Sequence, residues 1–143
     1  MSFQNPPPEQ IRRLLTDART IAVVGLSDNP QRASYEVAGV LRDYGYRIVP
    51  VNPRLAVWEG IRAVPDLQSA TELLGEDTPI DIVDVFRKPD EIGAVVDECI
   101  RLKLPAVWLQ LGCIDEAAAQ RARDAGLAVV MDRCIKIERM NLE

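Results

Sequence analysis

The sequence of 143 residues contains no histidine, only three cysteines and few aromatic residues. Without histidine there is no Ser-His or Cys-His nucleophile pair, no imidazole general base and no zinc site with histidine ligands. Cys99, Cys113 and Cys134 are too few and too scattered for a four-cysteine zinc site. They suit a reducing compartment better than a disulfide framework, so we expect a cytoplasmic protein without a metal site.

Long apolar runs and an excess of basic charge are also missing. No apolar run approaches the 18 residues typical of a membrane span, and the N-terminal residues do not resemble a secretory signal. The net charge is −5 at pH 7, whereas a general nucleic-acid binder carries a basic patch and a high isoelectric point. We therefore expect neither a membrane nor a nucleic acid as a partner.

Apolar segments rich in β-branched residues alternate with segments of helical periodicity. Continuous apolar runs predict strands buried on both faces of a parallel sheet, and they occupy 20–25, 46–51, 80–86, 106–110 and 127–131. Helices are predicted at 9–18, between a capping Ser34 and Gly45, and at 67–74, 89–102 and 115–125. This alternation predicts one α/β domain over residues 1–143, a three-layer, doubly wound sheet of about five mainly parallel strands.

Three segments carry weaker signals. Residues 1–8, with three consecutive prolines, are predicted to form a flexible lead. Residues 54–65 are predicted to be irregular with at most one helical turn. Trp58 within them is interpreted as a packing residue, with an interface or a lid as the alternatives. The last dozen residues are predicted to be a polar tail from which Ile135 and Ile137 pack.

The residues directly after each predicted strand are the candidates for ligand binding, because ligands of open α/β sheets bind at the carboxyl ends of the strands. The loop after the first strand leads into a helix, and a helix N-terminus favours phosphate. In that loop Gly25 permits close approach of a ligand, and Arg32 offers a guanidinium. Ser27 and Ser34 offer hydroxyl groups. A plain connection whose polar residues only cap the helix is the alternative.

Two common nucleotide-binding motifs are absent. Gly25 is the only glycine in its loop, so the G-x-G-x-x-G fingerprint is missing, and there is no P-loop. Asn52 and Pro53 stand where an acidic residue usually binds the ribose of a dinucleotide. An enzyme dependent on a nicotinamide or a nucleoside triphosphate is therefore the weaker alternative.

Basic residues recur at the predicted strand ends despite the negative net charge. These residues are Arg32, Arg54, Arg87, Lys88 and Arg133. Arginine makes up 14 of the 17 basic residues, and its planar guanidinium suits phosphate oxygens. A single surface arginine is usually solvated, but five at one edge favour a small ligand that carries several phosphates.

Carboxylates in the predicted strands do not form a paired acid–base site. Asp81 and Asp84 are three residues apart in one strand and point to opposite faces, so helix capping or pairing with an arginine is the preferred interpretation. Asp132 and Arg133 are interpreted as a structural ion pair. Trp108, within a strand, is expected in the core or at an interface.

Five motifs in this order resemble the small single-domain CoA-binding proteins, which are similar to the N-terminal CoA-binding domain of the succinyl-CoA synthetase alpha subunit. The motifs are Gly25-Leu-Ser-Asp-Asn-Pro-Gln-Arg-Ala-Ser-Tyr35, Gly45-Tyr46 with Pro50-Val-Asn-Pro53, Asp81-Ile-Val-Asp-Val-Phe-Arg87, Trp108-Leu-Gln-Leu-Gly112, and Met131-Asp-Arg-Cys134 with Glu138. The resemblance extends over residues 10–140. It implies a Rossmann-like fold and coenzyme A or an acyl-CoA as the ligand.

The resemblance also implies where the ligand lies. The loop after the first strand would hold phosphates, the end of the second strand would line the nucleotide site, and the end of the third would flank adenine. The candidate binding residues are Gly25, Leu26, Ser27, Arg32, Ser34, Tyr35, Asn52, Pro53, Phe86, Arg87, Lys88, Gln110, Gly112, Cys113 and Arg133.

Two departures from the family pattern limit what carries over. Family members often have histidine after the C-terminal glutamate, whereas Arg139 follows Glu138 here; residues 54–65 also look shorter than usual. The phosphohistidine chemistry of the synthetase belongs to another domain.

We therefore expect binding of coenzyme A or an acyl-CoA without catalysis. The alternatives are an NAD(P)- or other nucleotide-dependent enzyme on the same fold and a CoA-responsive regulatory module, and a homodimer or an unknown protein partner stays open.

The cysteines are interpreted mainly as packing residues. Cys99 lies on the apolar face of a predicted helix, whereas Cys113 and Cys134 follow strands at the ligand edge. From that position we hypothesise that Cys113 or Cys134 lies within reach of the CoA thiol and forms a mixed disulfide with it under oxidation.

Overall fold

Apolar segments of the chain form one parallel sheet, as the sequence predicts. The computed structural model describes residues 3–142. In chain order the strands are β1 (Thr20–Val24), β2 (Arg47–Val51), β3 (Val57–Trp58), β4 (Ile61–Arg62), β5 (Ile82–Val85), β6 (Ala106–Leu109) and β7 (Ala128–Met131). Five of them form the main sheet in the order β2-β1-β5-β6-β7, and all neighbours in it are parallel.

Helices cover both faces of this sheet. They are α1 (Pro8–Asp17), α2 (Ala33–Asp43), α3 (Leu67–Leu74), α4 (Pro89–Arg101), α5 (Glu116–Asp124) and α6 (Ile135–Met140). Alternate residues of one strand enter separate apolar clusters: Ile82 packs with α1, α2 and α6, and Val83 packs with α3, α4 and α5. The sheet is therefore buried on both faces, which explains the continuous apolar runs. Within residues 3–142, no helix is long and apolar enough to cross a membrane.

The strand order places a crevice between β1 and β5. The chain adds β2 on one side of β1 and then crosses over to add β5 on its other side. The connections that leave β1 and β5 therefore run in opposite directions, and a doubly wound sheet binds its ligands at such a point.

The hairpin after β2 corrects the prediction for residues 54–65. β3 and β4 pair antiparallel there, with Trp58 opposite Ile61. Trp58 is 1% exposed and packs with the α1 and α2 cluster. Its interpretation as a packing residue is therefore confirmed, and the alternatives of an interface or a lid are wrong. Two-residue strands leave no periodic pattern, which is why the sequence alone did not indicate them.

Residues near both ends of the described chain contact the rest of the fold. The tail forms α6, in which Ile135 is fully buried while Ile137 is half exposed. The N–H of Phe3 donates to Glu116 (2.9 Å), and the Asn5 side chain pairs with the backbone of Met131. Residues 3 and 5 thus contact the body of the fold, the flexibility of residues 1–8 stays a prediction, and residues 1 and 2 lie outside the described part.

Candidate functional site

Three strand ends meet in a groove at the carboxyl edge of the sheet. A cavity of about 480 Å³ lies between the loop after β1, the start of α2 and the ends of β2 and β5. It continues into two adjoining depressions of about 440 and 360 Å³ along the start of α4. We call the cavity and the two depressions together the carboxyl-edge groove. Its lining residues are Gly25, Ser27, Arg32, Ala33, Ser34, Asn52, Pro53, Arg54, Phe86, Arg87, Lys88, Glu91 and Cys113.

Ser34 holds the loop after β1 in shape. Its hydroxyl accepts a hydrogen bond from the N–H of Ser27 (3.0 Å), and the Ser27 hydroxyl accepts from the N–H of Asn29 (3.0 Å). Ser34 is the second residue of α2 and is 5% exposed, so its predicted role as the helix cap is wrong. The hydrogen bond to Ser27 holds the loop against the start of α2, so the Ser34 hydroxyl oxygen is engaged within the protein.

The start of α2 presents unused donors to the groove. Arg32, the residue before the helix, makes no side-chain capping bond. The N–H groups of Ala33 and Ser34 have no acceptor among the described residues. The first N–H groups of a helix need an external acceptor, and the helix dipole favours a negative one. This end of α2 is therefore suited to a phosphate oxygen.

Asn52 joins the end of β2 to the loop after β1. Its side-chain N–H donates to the carbonyl of Leu26 (3.0 Å), and its side-chain oxygen accepts from the N–H of Arg54 (3.0 Å). The N–H of Gly25 also donates to the Val51 carbonyl (2.8 Å). An amide at position 52 thus replaces the ribose-binding acid of dinucleotide enzymes and adds no negative charge beside the phosphate-binding elements.

Four cations line the groove: Arg32, Arg54, Arg87 and Lys88. None of them forms an ion pair within residues 3–142. One carboxylate, Glu91, lies among them, and its side chain accepts from the N–H of Lys88 (3.3 Å) at the start of α4. The fifth predicted cation, Arg133, instead pairs with Glu138 (3.5 Å). The expected Asp132–Arg133 pair is therefore wrong; Asp132 accepts from the N–H of Gly112.

Ten of the fifteen predicted site residues line the groove, and five do not. Those five are Leu26, Tyr35, Gln110, Gly112 and Arg133. Leu26 is fully buried, the Gln110 side chain accepts from the N–H of Ile135, and the Tyr35 hydroxyl donates to Glu59 in the hairpin. These three side chains therefore contact other parts of the fold and do not line the groove.

Three lining residues were not among the predicted binding residues. Arg54 was counted among the strand-end cations but not among the binding residues, although it follows β2 by only three positions. Ala33 contributes through its backbone, so its side chain carried no signal. Glu91 sits in the first turn of α4, where an acidic residue usually indicates only helix capping.

Cys113 closes one end of the groove. Its thiol donates toward the carbonyls of Val85 (3.4 Å) and Arg87 (3.3 Å), and it is 7% exposed. Burial raises the pKa of the Cys113 thiol, so the unreactive protonated form is favoured at neutral pH. Cys99 is fully buried, as predicted.

The two aspartates of the β5 segment have separate roles. Asp81 accepts hydrogen bonds from the N–H groups of Arg19 (2.8 Å) and Thr20 (2.9 Å). Asp84 is fully buried in β5, and neither of its carboxyl oxygens has a partner in the described chain. Burial raises the pKa of Asp84. The preferred interpretation, helix capping or pairing with arginine, is wrong for both.

Comparison with known proteins identifies related sequences and folds. The CoA binding domain family matches residues 19–140. The Bacillus subtilis protein YneT, which is uncharacterized, is 40% identical over 135 residues, which are 94% of this chain and 96% of YneT. A solved structure from Thermus thermophilus, cell-free ID.343, is 37% identical with a TM-score of 0.86, covering 96% of this chain and all of the other.

The fold also occurs inside a longer enzyme chain. The dinucleotide-forming acetyl-coenzyme A synthetase 1 of Ca. Korarchaeum cryptofilum superposes with a TM-score of 0.68 over 85% of this chain and 28% of its own. The sequence identity is 19%, so this likeness concerns the fold alone.

Proposed function

The chain belongs to the CoA binding domain family, and from this premise we propose that it binds coenzyme A or an acyl-CoA in the carboxyl-edge groove without catalysing a reaction. The observation that carries the proposal is the set of four cations, without ion-pair partners among residues 3–142, beside two N–H groups of α2 that lack acceptors there. Coenzyme A brings a pyrophosphate and a 3′-phosphate, which need such donors. The groove lies at the switch in strand order, where this fold class binds nucleotides.

The donors of the groove divide naturally between the phosphates of the ligand. The Ala33 and Ser34 N–H groups and the Arg32 guanidinium would hold the pyrophosphate, because they converge on one cavity. Arg87 and Lys88 line the adjoining depression and would bind a second phosphate there. The partly buried Phe86, between the two, would offer an apolar wall to adenine.

The side chains of the groove support binding without catalysis. The chain has no histidine to act as a general base. Ser27 and Ser34 are engaged with the loop backbone, and the raised pKa of the buried Cys113 disfavours its thiolate. The groove therefore lacks an activated nucleophile of the kind that acyl transfer requires.

Calorimetry on nucleotide-free protein tests the ligand. Coenzyme A, dephospho-CoA, NAD and ATP are titrated separately, and we expect coenzyme A to bind tightest and dephospho-CoA more weakly. Tighter binding of NAD would overturn the proposal and favour a nucleotide-dependent enzyme. Incubation with acetyl-CoA, followed by a thiol assay, tests the absence of catalysis; release of free thiol with turnover, lost on substitution of Arg32, would overturn that part.

A further inference from the structure

A second cavity lies at the opposite, amino edge of the sheet. It has a volume of about 370 Å³ and is formed by α1, the turns that precede β1 and β2, and the C-terminal end of α6. Three arginines from separate parts of the chain line it: Arg12 of α1, Arg19 before β1 and Arg139 of α6. No acidic residue of the described chain lines it. We call it the amino-edge cavity.

The guanidinium of Arg139 is held in a fixed orientation. It stacks on Tyr44, with its central carbon 4.2 Å from the ring centroid. Its Nε donates to the Tyr46 hydroxyl (3.1 Å), and this hydroxyl donates to the Leu15 carbonyl. Stacking and a donor bond set the plane of a guanidinium, and a fixed plane reduces the entropy that a ligand must overcome on binding.

The guanidinium groups of the other two arginines are not paired with acidic side chains in the described part of the chain. Neither Arg12 nor Arg19 forms an ion pair with any carboxylate of residues 3–142. This is notable in a chain with 22 acidic and 17 basic residues. Asp17 and Asp81 line a neighbouring depression instead. The like charges of Arg12 and Arg19 beside one small cavity repel each other, and a bound anion would relieve that repulsion.

We propose that the amino-edge cavity is a binding site for a small polyanion, recognised through phosphate or carboxylate oxygens. Its volume lies in the range of small-molecule sites, and planar guanidinium groups bind both kinds of oxyanion in a bidentate manner. The site is at the other edge of the sheet from the carboxyl-edge groove and shares no lining residue with it. It therefore does not depend on the proposed binding of coenzyme A.

The test is a titration of the full-length ¹⁵N-labelled protein at low ionic strength, with pyrophosphate and with citrate as separate probes. We expect at least one probe to shift the amide resonances of Thr16, Arg19 and Gly45, which line the cavity. A response to pyrophosphate alone indicates a phosphate ligand, and a response to citrate alone indicates a carboxylate ligand.

Matched variants separate the two cavities. Arg12→Gln with Arg19→Gln should weaken the amino-edge response at least tenfold, whereas Arg32→Gln with Arg54→Gln, in the other groove, should leave it unchanged. Arg12 is exposed, so Arg12→Gln alone serves if the double variant does not fold. The proposal is overturned if the amino-edge amides do not shift at millimolar probe, or if they shift equally in the variants of Arg12 and Arg19.

Discussion

The backbone carbonyl of Phe86 occupies the space that a side chain at Gly25 would need. A Cβ atom on Gly25 would lie 2.0 Å from the Phe86 oxygen, far inside van der Waals contact, and Gly25 has a φ of +87°. The ends of β1 and β5 therefore approach this closely only because position 25 is glycine. Both residues line the carboxyl-edge groove, so this approach shapes the site.

Gly25→Ala should destabilise the fold and weaken coenzyme A binding. The positive φ alone costs about 1–3 kcal/mol for a residue with a Cβ, and the overlap with a backbone atom adds to that cost. Chemical denaturation and calorimetry measure the two effects. The matched control is Gly39→Ala in α2, where a Cβ meets nothing within 4 Å and helix propensity should add about 0.5–1 kcal/mol of stability. Equal stability of the two variants would contradict this account.

Loss of a groove arginine should reduce affinity for coenzyme A without unfolding the protein. Arg32→Ala and Arg87→Ala should each cost about 1.5–3 kcal/mol of binding free energy, the range for a hydrogen bond to a charged group. Arg133→Ala is the control, because Arg133 pairs with Glu138 outside the groove and should not affect affinity. Unchanged calorimetric affinity after substitution of Arg32 or Arg87 would remove that residue from the site.

The sheet and its ligand edge were predictable because their signals are local. Runs such as residues 20–24 are buried on both faces and so are apolar throughout. The residues that end such runs meet at one edge in any parallel sheet, which is why Asn52 and Phe86 could be placed in one site. The hairpin around Trp58 was not predictable, since its two-residue strands are stabilised by tertiary packing of the tryptophan.

The hydrogen-bond and ion-pair partners of the predicted site residues were harder to predict than the positions of those residues in the fold. Ser34 has the residue type and location of a helix cap, yet the loop turns so that its hydroxyl serves Ser27. Arg133 follows a strand as Arg87 does, but α6 brings Glu138 within 3.5 Å of it. These partners depend on the direction in which each side chain leaves the backbone, and the sequence alone does not specify that direction.

The three cysteines should differ in their rates of alkylation. Burial raises the pKa of Cys99 to about 12 and also raises that of Cys113, whereas Cys134 is partly exposed. Because the thiolate is the reactive form, we expect iodoacetamide to modify Cys134 first, Cys113 slowly and Cys99 last, as peptide mass spectrometry would show. A mixed disulfide formed with coenzyme A and diamide should therefore be found on Cys134 before Cys113, and faster reaction of Cys113 would contradict its burial.

Asp84→Asn should stabilise the protein at neutral pH. Burial without a partner raises the pKa of Asp84 above the ordinary aspartate value of 3.8, so the folded chain binds more protons there than the unfolded chain. The free energy of unfolding then falls as pH rises from the unfolded pKa to the folded pKa. Asparagine has the shape of the protonated acid and lacks this penalty, so its advantage should be absent below pH 3.8 and should grow as pH rises toward neutrality.

Asp81→Asn provides the opposite case in the same segment. The Oδ2 atom of the Asp81 carboxylate accepts hydrogen bonds from both backbone N–H groups. An asparagine can keep one oxygen in that place but loses the negative charge that strengthens both bonds, so this variant should lose about 1–3 kcal/mol at neutral pH. Thermal unfolding of both variants and the parent chain across pH 3–8 measures the difference. If Asp84→Asn instead lowered stability at pH 7, as Asp81→Asn should, Asp84 would be a charge that the folded chain uses.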